Sequence, residues 1–252
     1  MQKDDKFIFG VRAVIEALDA GKEIDKVLVK RGGGSDLFRE MMIKLRESDT
    51  IVLYVPLEKL NNVTRKNHQG VVAFMAEISY GDLSMILPGI YETGEVPLIL
   101  ILDKVSDVRN FGAVARTAEC AGVHAIVIPI RGSARINAEA VKTSAGALHN
   151  IPVCRYENLS DAIRLLKESG LKICAATDKA STELYKSDMS GPLGLIMGSE
   201  DLGISRDLLQ LADQAVSIPM KGTISSLNVS VASGILLFEV LRQRNPDYSS
   251  GS

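Results

Sequence analysis

Short apolar runs alternate with amphipathic stretches along most of this chain. From residue 97 onward, the runs PLILIL, HAIVIP, KICAA and LGLIMG are apolar at nearly every position and lie between helical patterns. A strand that is apolar throughout is buried on both faces, which is typical of a parallel sheet covered by helices. The pattern predicts an α/β domain over residues 97–246, in which ligands bind beyond the carboxyl ends of the strands.

A smaller α/β domain is predicted over residues 1–78. The segment GVRAVIEALDAG has the apolar spacing of one helical face and ends at Gly21. The segment SDLFREMMIKLRES predicts a helix opened by Ser35 or Asp36, and KVLVK, TIVLYVP and GVVAFMAEI predict strands.

Two segments show no sustained periodicity of hydrophobic residues. Residues 79–96 contain three glycines and one proline, which predicts a linker. The tail DYSSGS, with residues 247–252, is predicted to be disordered.

Composition narrows the class of protein. Three widely spaced cysteines without a CxxC pair argue against a disulfide framework or a zinc site and favour a reducing compartment. The N-terminus lacks the apolar core of a signal peptide, and no apolar stretch is long enough to span a bilayer, so a cytoplasmic protein is expected. The net charge is −2, so a nucleic-acid partner would be bound by a local patch.

Polar clusters follow two of the predicted strands. After LILIL, Asn110 could cap a helix, Gly112 allows a backbone or a ligand to approach, and Arg116 lies six residues beyond Asn110. After LGLIMG, the pattern GxExxG places Glu200 between Gly198 and Gly203. Taken alone, Asn110 is more often a cap than a catalytic group, Arg116 is more often a surface charge, and GxExxG is more often an ordinary connection between a strand and a helix.

The segment IPMKGTISSLNVSVA, residues 218–232, is the third cluster. In this order the three clusters resemble the motifs of the SpoU branch of the SPOUT RNA ribose 2′-O-methyltransferases. The segments FGVRAVIEAL and NHQGVVA resemble the substrate-recognition domain of the subgroup that modifies guanosine in bacterial 23S ribosomal RNA.

The resemblance implies a fold and a methyl donor. The fold would be a C-terminal SPOUT parallel-sheet domain with a deep trefoil knot, plus a small N-terminal L30e-like α/β domain that binds RNA. The donor would be S-adenosyl-L-methionine, and no metal is implied. The implied cofactor-binding residues are Thr177, Gly198, Ile218, Met220 and Leu227.

The resemblance also implies a catalytic set. Its members are Asn110, Arg116, Glu200, Ser226 and Asn228. Because a guanidinium holds its proton tightly, we expect Arg116 to bind a phosphate and stabilise the developing alkoxide, while a phosphate oxygen or water accepts the proton. Glu200 would orient Arg116 or a substrate group, and the other residues would supply positioning hydrogen bonds.

Contacts to RNA are expected in the N-terminal domain. The segment RKNHQG contains Arg65, Lys66 and His68, which form a small basic cluster. This cluster is explained equally well by a solvated loop and by a contact with RNA. Arg12 is a further candidate, and Lys30 and Arg31 are weaker ones.

The helix predicted from residue 229 to residue 241 is apolar on almost every side, which predicts burial; core packing explains part of this pattern, and a dimer interface could explain the rest. The resemblance to the family implies a homodimer.

Rival functions remain open at this point. One is methylation of a transfer-RNA ribose, and another, of a different class, is RNA binding without catalysis. A nicotinamide-dependent dehydrogenase is excluded, because the glycine fingerprint GxGxxG and its downstream acid are absent from the sequence.

Overall fold

The computed structural model describes residues 7–32, 34–48, 50–223 and 226–245. The chain forms two compact units, Met1–Ile78 and Ser79–Ser252. The tail at 247–252 lies outside the described residues. No helix within the described ranges is long and apolar enough to cross a membrane.

The first unit is a four-stranded mixed sheet with three helices. The strands are β1 (Phe7–Phe9), β2 (Ile24–Lys30), β3 (Ile51–Val55) and β4 (Val71–Met75), and the helices are α1 (Val11–Asp19), α2 (Asp36–Glu47) and α3 (Leu57–Val63). The order across the sheet is β1-β4-β2-β3, with β2 parallel to β3 and antiparallel to β4.

Alternation along β2 explains how the helices pack. Val27 and Val29 point to the face covered by α1 and α2, whereas Leu28 lies in the cluster that contains Leu60 of α3. Helix α2 begins as the sequence predicts, because Ser35 Oγ accepts a hydrogen bond from the Phe38 amide at 3.2 Å.

The second unit is built on a parallel sheet of seven strands. The strands are β5 (Tyr80–Gly81), β6 (Leu98–Asp103), β7 (Ala125–Pro129), β8 (Val153–Tyr156), β9 (Lys172–Ala176), β10 (Leu193–Gly198) and β11 (Gln214–Val216). The helices are α4 (Leu83–Glu92), α5 (Val108–Cys120), α6 (Ala138–Thr143), α7 (Leu159–Glu168), α8 (Arg206–Leu211) and α9 (Val229–Arg244). The predicted α/β class with a buried parallel sheet is confirmed.

The prediction of a linker over residues 79–96 is wrong. Strand β5 pairs with β8, and Asp82 caps α4 by accepting a hydrogen bond from the Ser84 amide at 2.9 Å. Leu83, Leu87 and Ile90 are buried in the core of the second unit. Their helical spacing was present in the sequence, but the glycines and the proline obscured it.

The strand order fixes where a ligand can bind. The order is β11-β9-β10-β6-β7-β8-β5. Strands β7 and β8 therefore lie on one side of β6, whereas β9, β10 and β11, which follow later in the chain, lie on the other side. The reversal point lies between β6 and β10, whose last paired residues are Asp103 and Gly198. A crevice for ligands is expected there. The trefoil knot and the likeness to L30e stay predictions of the resemblance.

The three cysteines are expected to differ in reactivity. Cys154 and Cys174 lie buried in β8 and β9, and burial raises the pKa of their thiols to about 12 and about 11, whereas Cys120 is exposed. Since the thiolate is the reactive form, its fraction at pH 8 is about 10⁻⁴ and about 10⁻³ at the two buried positions. Titration of the native chain with Ellman's reagent at pH 8 should modify Cys120 within minutes and the other two at least about 100-fold more slowly. Equal rates at all three thiols would contradict the burial.

Candidate functional site

A cavity of about 350 Å³ lies at the carboxyl ends of β9, β10 and β11, which is on the β10 side of the reversal point and not between β6 and β10. It is lined by strand-end residues, by the loop after β10 and by the start of α9. All the predicted cofactor-binding residues line it, namely Thr177, Gly198, Ile218, Met220 and Leu227. Their meeting in one cavity agrees with the role that the resemblance implies.

The GxExxG pattern forms a closed turn. A Cβ at Gly198 would lie 2.1 Å from the carbonyl carbon of Gly203, so no other residue fits unless the backbone moves. Gly203 has a φ of +66° and donates its amide to the Ser199 carbonyl at 2.9 Å. Gly198 is therefore required by the approach of the chain to itself, and the turn carries Glu200 on the cavity wall.

Side chains from the three motifs meet at Glu200. Its Oε1 accepts hydrogen bonds from Asn110 Nδ2 at 3.1 Å, from Asn228 Nδ2 at 2.5 Å and from the Val229 amide at 3.2 Å. Asn228 Nδ2 also donates to Asn110 Oδ1 at 3.0 Å. We call Asn110, Glu200 and Asn228 the polar triangle, which joins α5, the loop after β10 and α9.

Asn110 does not cap α5. Asp107 does, because its Oδ1 accepts a hydrogen bond from the Asn110 amide at 2.8 Å. Asn110 therefore lies in the first turn of the helix, and its side chain is available for the polar triangle. The aspartate three residues before Asn110 was the sequence signal that would have identified the cap.

Asn228 has two roles at once. As the cap of α9, its Oδ1 accepts from the Ser230 amide at 2.9 Å. Its Nδ2 group donates the hydrogen bonds of the polar triangle, so one side chain both caps the helix and links it to Asn110 and Glu200. Ser226 lines the cavity, and Ser225 lies outside the described residues.

Arg116 is not part of this cluster. It is exposed, it does not line the cavity, and it makes no hydrogen bond or ion pair with any residue in the described ranges. Six residues of helix separate it from Asn110, which turns its side chain about 120° away and places it roughly 9 Å along the axis. The expected contact from Glu200 to Arg116 is absent among the described residues. Glu200 accepts hydrogen bonds from Asn110 and Asn228 instead.

Gly112 serves helix packing. A Cβ there would lie 2.8 Å from the Ala140 carbonyl oxygen, so α5 and α6 can approach only because the position is glycine. Of the two interpretations of Gly112, approach of a backbone is the one observed.

Helix α9 is not buried all round within one chain. Leu236, Leu237 and Val240 are buried, but Val231 and Phe238 are 52% and 49% exposed. The apolar character seen in the sequence therefore covers two faces, of which one packs inside the unit and one reaches its surface.

Sequence reasoning missed Asp103. This residue ends β6 and is buried, and its Oδ2 accepts hydrogen bonds from the Ser205 amide at 2.7 Å and from Ser205 Oγ at 2.5 Å. It thereby fastens the segment after Gly203 to the neighbouring strand. A charged residue at the end of the apolar run LILIL was the available signal.

His68 is not available for RNA contact through its ring nitrogens. The side chain is 7% exposed, its Nδ1 accepts from the Gly70 amide at 3.0 Å, and its Nε2 lies 2.9 Å from Asn61 Oδ1. Accepting at Nδ1 places the proton on Nε2, which donates to Asn61. The prediction that His68 contacts RNA is therefore corrected: the ring of His68 stabilises the loop in which it lies. The other candidates, Arg12, Arg65 and Lys66, are exposed.

Fold and site together define a class: a two-unit α/β protein with a parallel sheet, a cavity at the carboxyl ends of β9, β10 and β11, and a polar triangle whose Glu200 lies on the cavity wall. Residues 97–238 match the SpoU rRNA Methylase family, and residues 7–81 match the family described as RNA 2′-O ribose methyltransferase substrate binding. The chain belongs to the SpoU rRNA methylase family, as the sequence motifs predict.

Relatives match along nearly the whole chain. RlmB of Yersinia pestis, named a 23S rRNA (guanosine-2′-O-)-methyltransferase, is 36% identical over 242 residues, which are 95% of this chain and 98% of the relative. YacO of Bacillus subtilis, named a putative TrmH family tRNA/rRNA methyltransferase, is 34% identical over 246 residues, or 98% and 99% of the two chains. The AdoMet-bound rRNA methyltransferase from Sinorhizobium meliloti has a TM-score of 0.60 and 29% identity, and the match covers 94% of this chain and 86% of that one.

Proposed function

We propose that this protein acts in the cytoplasm and methylates the ribose 2′-hydroxyl of a guanosine in 23S ribosomal RNA. The class of reaction, RNA ribose 2′-O-methylation with S-adenosylmethionine as the donor, follows from membership of the family. The choice of 23S RNA is supported by the full-length likeness to RlmB and by the presence of a substrate-binding unit. The single observation that carries the proposal is Glu200, which lies on the cavity wall and accepts hydrogen bonds from Asn110 and Asn228.

The cavity fits the methyl donor in size and lining. Its volume lies within the range of about 300–1,000 Å³ that is usual for small-molecule sites. When bound, S-adenosylmethionine supplies an activated methyl group on a sulfonium. Backbone groups at Gly198, Ile218 and Leu227 would hold the adenosyl part, with Thr177 and Met220 beside them.

The polar triangle positions groups at the edge of this cavity. Glu200 Oε1 already accepts three hydrogen bonds, whereas its Oε2 makes none to a described residue and can accept one from a substrate hydroxyl. Fixing the two asparagines before substrate arrives reduces the entropy lost in reaching the reactive geometry. Ser226 would add a further hydrogen bond from the cavity wall.

Arg116 would act on the RNA backbone. An exposed guanidinium without a partner among the described residues suits bidentate binding of a phosphate next to the target ribose. Because Arg116 does not line the cavity, it would act by orienting the RNA through that phosphate, and the proton would pass to a phosphate oxygen or water.

Replacing Arg116 by lysine should separate the effect of the guanidinium geometry on catalysis from the effect of its positive charge. We expect kcat/KM to fall roughly 10- to 100-fold, because lysine keeps the charge and loses the bidentate fork. Steady-state methyl transfer to ribosomal RNA measures the effect. Lys142→Arg in α6 is a matched control with the opposite exchange. Full turnover by Arg116→Lys would contradict a role for guanidinium geometry.

We also propose a homodimer. The exposed apolar side chains Val231 and Phe238 lie on α9, which suits association through that helix. Light scattering at micromolar concentration measures the mass, and a monomer under those conditions would contradict the proposal.

Labelled S-adenosylmethionine, offered with ribosomal RNA, transfer RNA and pre-ribosomal particles from cells that lack the protein, tests the substrate. A blocked 2′-hydroxyl makes the adjoining phosphodiester resistant to alkali, so the modified position can be mapped. One resistant guanosine in 23S RNA is the expected result. Label only in transfer RNA would favour the rival substrate, and label only in a pre-ribosomal particle would identify an assembly intermediate as the substrate. RNA binding without any transfer would favour the non-catalytic alternative.

A further inference from the structure

The first unit contains a cavity of its own, of about 390 Å³. It lies where β2 ends at Lys30 and where the loop of residues 66–70 leads into β4. Its volume is within the range of small-molecule sites. Nothing in the reaction described above uses this cavity.

The loop beside the cavity is held in a defined shape. Buried His68 anchors it through Asn61 and the Gly70 amide. Gln69 adopts a φ of +51°, which is uncommon for a residue with a Cβ, and such backbone conformations concentrate at functional sites. A Cβ on Gly70 would lie 3.2 Å from Lys30 Cβ, so the loop approaches β2 closely. The cavity is therefore formed before any ligand arrives.

The charges around the cavity favour an anion. Lys30 and Lys66 both line it, and no carboxylate does among the residues the structure describes. Neither ammonium forms an ion pair with a described residue, and Lys66 Nζ lies 5.8 Å from the ring of Phe9. Two unpaired ammonium groups beside one cavity suit a phosphate.

The rest of the lining suits a base. Phe38 is half-buried and Leu57 is 42% exposed, which provides an apolar wall. Asn67 and Gln69 line the same space, and their side-chain amides make no hydrogen bond to another described residue. Proteins recognise unpaired RNA bases by this combination of an apolar or aromatic surface with polar groups for the base edge.

We infer that this cavity binds one unpaired nucleotide of the RNA substrate, with its base against Phe38 and Leu57 and its phosphate beside Lys30 and Lys66. The inference rests on the proposed function, because it assumes that RNA is the partner. The small unit then selects RNA in which a nucleotide has left the stack, since duplex RNA alone cannot fill the cavity.

Binding of the four ribonucleoside 5′-monophosphates to the full chain tests this inference, with amide NMR as the readout. We expect shifts at residues 66–70 and near Lys30, and a Kd that rises about tenfold in Lys30→Gln, in Lys66→Gln and in Leu57→Ser. Lys22→Gln is the matched control, because Lys22 is an exposed lysine before the opposite end of β2. No shifts in the loop, equal effects of Lys22→Gln, or equal affinity for inorganic phosphate would each overturn the inference.

Binding of a 23S RNA transcript as a function of salt gives a second readout. The slope of log K against log salt is negative, and each lysine variant should reduce its magnitude by about 0.7, the value for one phosphate contact on a single strand. In methyl transfer the variants should raise KM severalfold and leave kcat unchanged. Unchanged slopes and KM, with a wild type that methylates RNA, would overturn the cavity assignment and leave the proposed function standing. Failure of the wild type to methylate any RNA, with nucleotides still bound at the loop, would overturn only the proposed function.

Discussion

Replacement of Gly198 by alanine is expected to abolish binding of S-adenosylmethionine and to lower the free energy of unfolding by about 3 kcal/mol. The three atoms nearest to the new Cβ would all belong to the backbone: the Gly203 carbonyl carbon at 2.1 Å, its oxygen at 2.3 Å and the Ile204 amide nitrogen at 2.4 Å. Backbone cannot yield as the tip of a flexible side chain can, so the turn must open. Calorimetric titration with the donor and denaturation in urea measure the two effects.

Gly191→Ala is the matched control for that experiment. A Cβ at Gly191 meets nothing within 4 Å, and the residue does not have a positive φ. We expect its donor affinity and stability to stay within about 0.5 kcal/mol of wild type. A Gly198→Ala variant that bound the donor as well as Gly191→Ala does would refute the requirement for a glycine at this turn.

A pair of substitutions at Asn228 should separate its two roles. Asn228→Ser keeps a capping oxygen, and Asn228→Ala removes it, but both remove the Nδ2 donor that reaches Glu200 and Asn110. We expect both variants to lose roughly 100-fold or more in kcat, since a misplacement of about 1 Å at a reaction centre has that effect. Only the alanine variant should lose the cap, about 1 kcal/mol, or roughly 2–4 °C in Tm.

Single-turnover methyl transfer and differential scanning calorimetry on the same preparations measure these two quantities. Ser160→Ala, in the first turn of α7 outside the cavity, controls for the loss of a small polar side chain. If Asn228→Ser retained wild-type turnover, the cap alone would explain the residue, and the polar triangle would have no part in catalysis.

Periodicity and apolar runs predicted most of the fold. The apolar strand runs after residue 97 and the helical face of GVRAVIEAL could be identified because burial requires apolar side chains at regularly spaced positions. The failure at residues 79–96 has a physical cause. Pro88 and Gly89 lie inside α4, and packing of Leu83, Leu87 and Ile90 outweighs their unfavourable helix propensity.

The candidate site was predicted from motif resemblance and could not be derived from local pattern. Asn110 and Asn228 are 118 positions apart, so no local rule brings their side chains within 3.0 Å. Conversely, Arg116 belongs to the same short motif as Asn110, but the helix turns it away from the polar triangle. The burial of His68 within RKNHQG could not be predicted either, because it depends on a contact with Asn61, seven residues earlier in the chain.

The double role of Asn228 has a consequence for biosynthesis. Asn110 emerges from the ribosome 118 residues before Asn228, an interval of roughly 6–24 s at about 5–20 residues per second. Until α9 docks, Glu200 lacks two of the three donors that hold it. A nascent chain in which α9 has not yet folded therefore lacks a complete polar triangle.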